Sequence, residues 1–321
     1  MAVYTLSKDL LEDFLSAVMA QAELIAPVKT DLVRFEKIDD PSKIHFTENA
    51  FFPLKEFFFR KKEIMMVFDG HKFVSNFRPP GKRVFFGVRR CDLNAVKRQD
   101  MVFLQGAIDP AYAAQREGAL FIGYHCNTAP SEYCFCGSME LEDFHDLMFF
   151  DRGDEYVVQT GSKKGEKFAK KHGRFFKRSA VKIGERDKVI PGTKRLKKKD
   201  ISGLYDNPAW KKDVAQCLSC GACTTLCPTC YCFEFKEVAS LADEKKSSRV
   251  REWSSCQVPD FTRVAGNFVF RQGREERFKH RIYHQLDYFK ERNGVNLCVG
   301  CGRCISGCPT RIDFVKTINR M

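Results

Sequence analysis

Cys217-Leu-Ser-Cys220-Gly-Ala-Cys223-Thr-Thr-Leu-Cys227-Pro228 and Cys298-Val-Gly-Cys301-Gly-Arg-Cys304-Ile-Ser-Gly-Cys308-Pro309 carry one spacing twice, C-x-x-C-x-x-C-x-x-x-C-P. This is the ligand pattern of a chain that holds two 4Fe–4S cubes: three cysteines of a run curl around one cube, and the fourth reaches across to the other. The pattern assigns Cys217, Cys220, Cys223 and Cys308 to one cube, and Cys298, Cys301, Cys304 and Cys227 to the second. Gly221, Gly300 and Gly302 sit between ligands, where glycine permits positive φ and lets backbone N–H groups approach the sulfides. Pro228 and Pro309 turn the chain away after the fourth ligand at little cost. Zinc is the alternative for CxxC pairs, but it takes its ligands as two separated pairs and has no use for three tightly spaced cysteines plus a distant fourth.

The two runs start 81 residues apart. An insertion of that length points to a helix-rich two-cluster domain rather than a small β-rich one. Asn207 and Pro208 read as the start of a helix through Trp210 and Val214 into Cys217. Phe278 to Phe289 reads as helix, and Phe233 to Ala242 reads as a further helical segment. The C-terminal domain is therefore placed at 201–321.

Residues 1–200 read as an N-terminal α/β-type domain, making the whole chain α+β. Met1 to Pro27 reads as an amphipathic helix built on Leu10, Leu11, Phe14, Leu15 and Val18, and lacks the apolar core of a signal peptide. Val84 to Val88 and Leu120 to Tyr124 are apolar runs separated by a helical stretch, Asp92 to Phe103, which predicts a βαβ unit with parallel strands. Phe149-Phe150 and Tyr156-Val157-Val158 flank an Arg-Gly-Asp turn and predict a hairpin. Cys91 and Cys126 each follow one of the two parallel strands, and strand ends on one sheet edge are where ligands gather. Cys134 and Cys136 follow closely. Cys91, Cys126, Cys134 and Cys136 thus form a candidate third metal site, iron–sulfur or zinc, against the alternative of buried free thiols. Cys230, Cys232 and Cys256 are left without a partner and read as thiols lining the cluster environment, with a further metal site as the alternative.

Of the 321 residues 44% are hydrophobic, ordinary for a chain that buries a core, and no run of 18 apolar residues suggests a membrane span. Eight of the 15 cysteines are claimed by cubes, which predicts a reduced cytoplasmic setting rather than a disulfide scaffold. The net charge of +13 is concentrated in 161–200, where sixteen Lys or Arg face four Asp or Glu. That segment, with its run Lys194-Arg195-x-Lys197-Lys198-Lys199, reads as a solvated surface, a landing site for an acidic protein, or, more weakly, a nucleic-acid contact. Arg249, Arg251, Arg263 and Arg271 read as surface residues or as counter-charges for the clusters. No GxGxxG, Walker A or serine-nucleophile motif is present, so the chain shows no nucleotide or flavin site of its own.

Several segments resemble the iron–sulfur beta subunit of cytoplasmic sulfhydrogenases and the related iron–sulfur subunit of anaerobic sulfite reductase. They are Gly87-Val-Arg-Arg-Cys91-Asp92-Leu93, Cys134-Phe-Cys136-Gly-Ser138, Cys227-Pro-Thr-Cys230-Tyr-Cys232-Phe233, Arg251-x-Trp253-x-x-Cys256, Ala265-Gly-Asn-Phe268, and the two cysteine runs themselves. The chain departs from that pattern at Arg90, where proline is usual, at Asn267, where glycine is usual, and in its heavier basic segment. The resemblance implies a hetero-oligomeric relay that passes single electrons between a flavoprotein that binds NAD(P) and a catalytic redox subunit. The competing readings are a stand-alone iron–sulfur redox enzyme and an iron–sulfur nucleic-acid-binding protein that uses 161–200. Iron analysis separates the ligand sets: about eight atoms per chain are expected for two cubes alone, and clearly more with a third cluster.

Overall fold

The computed structural model describes residues 2–75, 77–197 and 200–321, so Lys198 and Lys199 of the basic run lie outside the described residues. The chain opens with strand β1 (Val3–Ser7), helix α1 (Leu11–Met19), β2 (Glu23–Lys29) and β3 (Val33–Lys37). The segment read as one helix is thus strand, helix and strand. Helical periodicity holds only where Phe14, Leu15 and Val18 are buried, and the flanking residues are claimed by the sheet. There follow β4 (Lys62–Phe68), β5 (Phe73–Val74), β6 (Arg83–Val88), α2 (Arg90–Phe103), α3 (Pro110–Arg116), β7 (Ala119–Tyr124), β8 (Leu147–Asp151), β9 (Glu155–Thr160), α4 (Lys163–Lys171) and β10 (Lys177–Arg178).

Eight of these strands make one sheet in the order β10-β1-β9-β8-β7-β6-β2-β3. Its centre, β2-β6-β7-β8, is parallel. The expected parallel pairing of β6 with β7 is present, with Phe85 opposite Phe121, and β8-β9 is the expected hairpin. Side-chain alternation splits neighbours between two cores. Phe85, Phe121 and Met148 join Leu93, Val96, Phe103 and Tyr112 of α2 and α3. Phe86, Ile122 and Phe149 join Phe14 and Leu15 of α1 and Ala169 of α4. Every residue of β6 and β7 is buried, which is why those strands read as unbroken apolar runs.

Residues beyond 200 form α5 (Trp210–Gln216), α6 (Ala222–Thr225), β11 (Phe233–Ala239), β12 (Ser247–Trp253), α7 (Arg274–Tyr283), α8 (Phe289–Asn293), α9 (Arg303–Ser306) and α10 (Phe314–Arg320). The fold is mixed α+β, but Phe233 to Ala242 is not helical. Its alternating Phe233-Glu-Phe235-Lys pairs residue for residue with β12, from Phe233↔Trp253 to Ala239↔Ser247, and two-residue periodicity wins over helical propensity. β12 then pairs with β4, giving a second sheet, β11-β12-β4-β5. Residues from both sides of position 200 thus share a sheet. They share a core too: Trp210, Phe278, Ile282, Ile305 and Phe314 pack with Phe135, Met139 and Leu196.

Two buried arginines lock the halves. Arg251 on β12 is fully buried and donates to Glu63 of β4 at 2.7 Å and to Asp109 at the start of α3. It is not a surface residue, because β4 and α3 enclose it, and its charge is met by carboxylates. Arg303, inside the second cysteine run, grips both oxygens of Asp92 at 2.7 and 2.8 Å and donates its Nε–H to the Ala50 carbonyl at 2.6 Å. Arg303 and Asp92 are 3% and 1% exposed, so removing one partner leaves an uncompensated charge in the interior. Asp92→Ala is expected to lose about 3–5 kcal/mol in denaturant unfolding, while Asp92→Leu combined with Arg303→Met recovers most of it.

Candidate functional site

The two cysteine runs fold alike. In the first, Ser219 and Gly221 take φ of +52° and +77°; in the second, Gly300 and Gly302 take +67° and +75°. These left-handed residues curl the loop so that the Ser219 N–H donates to Cys217 Sγ and the Gly300 N–H to Cys298 Sγ, each at 3.4 Å. The short helices α6 and α9 begin directly after the second left-handed residue and pack together. At the fourth cysteines, Thr229 and Thr310 place hydroxyls 3.2 and 3.4 Å from Cys227 Sγ and Cys308 Sγ.

Three cysteine-lined cavities adjoin. One, of about 50 Å³, is bounded by Cys217, Cys220, Cys223, Cys304 and Cys308, with Phe278, Ile282 and Phe314 as apolar walls. The next, of about 10 Å³, is bounded by Cys227, Cys298, Cys301 and Cys304. The third, of about 200 Å³, is lined by Cys91, Cys126, Cys134 and Cys136, again with Cys301. Each expected ligand set thus meets around one cavity, and Cys304 and Cys301 border two cavities each. Among the described residues no three His, Cys, Asp or Glu side chains gather tightly enough to hold a single metal ion.

The surroundings fit an anionic cluster. Arg281 of α7 is buried and borders two of the cavities. One of its N–H groups holds the Cys223 carbonyl at 3.1 Å, and its Nε has no partner among the described residues. Burial opposes its charge, but Cys304, Cys223, Cys227 and Cys230 hold its pKa well above the ordinary guanidinium value. Burial pushes the free Cys223, Cys301 and Cys136 thiols up to about 12, and drives Cys91, Cys126 and Cys134 upward as well. Thiols so desolvated ionise only against a strong cation, the situation of a metal ligand.

The basic segment is in part structural. Lys188, Val189, Ile190, Thr193 and Lys194 wall the third cavity. Lys188 is tied to Asp143 at 2.6 Å and to Glu185 at 2.8 Å, and Arg195 holds the Tyr133 carbonyl at 2.9 Å as well as Asp313. The counter-charges at the cysteines are not Arg249 or Arg263, which pair with Glu237 and Asp260. They are Arg281 and Arg303; Lys55 also faces the sulfurs, but burial pushes its pKa down. The signal for Arg281 was present in the sequence: it shares a helical face with Phe278 and Ile282, an arginine on an apolar stripe. Lys55 carries no such signal, because only the tertiary fold brings it to Cys230. Cys230, Cys232 and Cys256 lie beside the second ligand set. The Cys256 thiol, donating to the Cys232 sulfur, draws Cys232 down to about 7.

Residues 216–312 match the 4Fe-4S dicluster domain family. Over 98% of its length the chain is 32% identical to sulfhydrogenase 2 subunit beta of Pyrococcus furiosus, covering 97% of that protein. It is also 26% identical, over 42% of its length, to 22% of an uncharacterized iron-sulfur protein of Methanococcus maripaludis.

The glycines differ in what they face. A Cβ on Gly300 would stand 2.6 Å from the backbone of Phe135 and Cys136, whereas one on Gly221 would meet only side chains, Ser255 at 3.1 Å and Thr224 at 3.8 Å. Gly221→Ala is expected to cost roughly 1–2 kcal/mol, the left-handed penalty. Gly300→Ala is expected to cost more in denaturant unfolding, and to lower bound iron by displacing both the second run and the 133–136 segment.

Proposed function

The chain belongs to the family of sulfhydrogenase beta subunits, and on that premise we propose that it is the electron-relaying subunit of a hetero-oligomeric cytoplasmic oxidoreductase. It passes single electrons between a flavoprotein that binds NAD(P) and a catalytic redox subunit of the nickel–iron sulfhydrogenase or anaerobic sulfite reductase type. The observation that carries the reading is the row of three adjoining cysteine-lined cavities joined at Cys301 and Cys304. A bound 4Fe–4S cube supplies one-electron chemistry at a potential set by its surroundings.

Cys217, Cys220, Cys223 and Cys308 hold the outer cube, Cys298, Cys301, Cys304 and Cys227 the middle one. Cys91, Cys126, Cys134 and Cys136 hold a third cluster. Arg281 and the backbone N–H groups of Ser219 and Gly300 stabilise the negative charge on sulfur, the lever by which a protein tunes such a centre. Phe135, Phe278, Ile282 and Phe314 keep water from the cavities. Cys220 is exposed, which leaves one end of the row within reach of a partner. All fifteen cysteines are free of disulfides, in keeping with a reducing compartment.

Assembly with other subunits has surface support. Leu218, between two ligands, is 64% exposed, and Phe268 and Phe270 are exposed on the loop leading to α7. Ile64, Met66, Phe73 and Phe235 are exposed on the four-stranded sheet. Apolar patches of this kind mark surfaces that partners cover.

Anaerobically reconstituted chain is expected to carry about twelve iron atoms, and Cys136→Ser about eight. It should absorb at about 400 nm and bleach with dithionite, yet catalyse no oxidation of NAD(P)H or hydrogen by itself. Turnover by the isolated chain, measured spectrophotometrically, would end the relay reading.

A further inference from the structure

Cys230, Cys232 and Cys256 belong to none of the three ligand sets, yet the fold assembles them with care. Phe233 and Trp253 are opposite each other at the base of the β11-β12 hairpin, and the Ser254 N–H donates to the Cys232 carbonyl at 2.9 Å. Two residues further on, the chain turns back so that both the thiol and the backbone N–H of Cys256 reach the Cys232 sulfur. Cys256 is 4% exposed, while Cys232 is only half-buried. On the other side Cys230 meets the sulfur of Cys227 and accepts from Gln285 Nε2 at 3.5 Å. The four sulfurs fall into two pairs, Cys227 with Cys230 and Cys232 with Cys256.

Lys55 sits between them. It is buried, and its ammonium donates to the Thr224 and Cys230 carbonyls at 3.3 and 3.1 Å and lies 4.2 Å from the centre of the Trp253 ring. Among the described residues no carboxylate is hydrogen-bonded to it; burial pushes its pKa below the ordinary lysine value, and the sulfurs of Cys230, Cys227 and Cys232 that it faces oppose that shift. A buried amine with only carbonyls and a ring for partners keeps its charge only beside an anion, and Cys232 is a sulfur that would supply one as a thiolate.

We infer that Cys232 and Cys256 form a thiol–disulfide couple that exchanges two electrons with the centre ligated by Cys227. The inference rests on the relay reading above. In the reductive direction the Cys232–Cys256 sulfur–sulfur bond breaks, and each sulfur gains one electron and one proton. The electrons arrive singly by way of the Cys227 centre from an external reductant of the dithionite class, and the protons come from solvent at the exposed edge of Cys232. Oxidation runs the same steps backward. The arrangement matches what thiol exchange needs, a reachable sulfur beside a positive charge and a buried one to resolve it.

The test uses the reconstituted full chain, oxidised anaerobically with thionine or reduced with dithionite. Each sample is labelled with iodoacetamide and read by peptide mass spectrometry alongside iron analysis. In the oxidised sample Cys232 and Cys256 are expected unlabelled in one disulfide-linked peptide; after dithionite each should gain one label with iron unchanged. In reduced chain, Lys55→Met should slow labelling of Cys232 about tenfold at neutral pH by withdrawing the counter-charge. Full labelling of both cysteines in the oxidised, iron-replete chain overturns the couple and leaves the relay reading intact. Loss of about four iron atoms from Cys232→Ser or Cys256→Ser also overturns it, because the residues would then be cluster ligands. A chain that binds no iron overturns both readings.

Discussion

The Arg303–Asp92 pair is the contact on which the arrangement of the cysteine-lined cavities depends. Two charges, each almost wholly removed from water, are tolerable only with both oxygens met by both guanidinium nitrogens and the third donor satisfied by the Ala50 carbonyl. That demand leaves one relative placement of α9 and α2. Cys301 and Cys304 flank Arg303 in sequence, and Cys91 precedes Asp92. Satisfying the ion pair therefore brings the second cysteine run against the start of α2 and makes Cys301 a wall of the cavity that Cys91 lines. The same seam is closed by backbone, since the Phe135 N–H donates to the Gly300 carbonyl at 2.7 Å. A relay built from two segments of chain needs this kind of over-determination, because small shifts at a cluster edge change both ligation and access of water.

The electrostatics follow from the same packing. Buried thiols resist ionisation, and buried cations resist desolvation, but each relieves the other. Arg281 and Lys55 are drawn into the interior toward sulfur rather than toward carboxylates. The outcome is an interior prepared for negative charge on sulfur, from Cys223 through Cys227 to Cys230. Arg251 answers a different need. Its partners Glu63 and Asp109 bind the second sheet to α3, so the hairpin that carries Cys232 and Cys256 is fastened to the larger domain at its base.

Much of this was legible in the chain. The repeated cysteine spacing names two sets of four cysteines, and the fold gathers each set around its own cavity. The apolar runs at Val84 and Leu120 announced parallel strands, since strands covered on both faces have no polar side to show. Cys91 and Cys126, each just beyond such a strand, line one cavity at the sheet edge, where topology alone puts them. The misreadings differ in cause. Residues 233–239 alternate in the two-residue period of a strand and pair with the nearby β12, so their signal is a local one, whereas residues 3–7 lie between β9 and β10, partners distant in sequence. Local periodicity cannot weigh a pairing that depends on chain folded from elsewhere.

What the sequence determined by itself is chemistry written in fixed local spacing: cysteines three and four residues apart, with residues between them that tolerate positive φ, define a loop around a cube whatever surrounds them. What only the tertiary structure decided is the company those loops keep. Ser219 and Gly300 occupy equivalent places in the two runs and share a left-handed backbone, yet only at Gly300 would a Cβ meet the backbone of Phe135 and Cys136. Lys55 reaches the thiols around Cys230 across a gap of 175 residues. Ligand spacing is a short-range property and survives in one dimension, whereas burial and charge compensation belong to neighbours that exist only after the chain has folded.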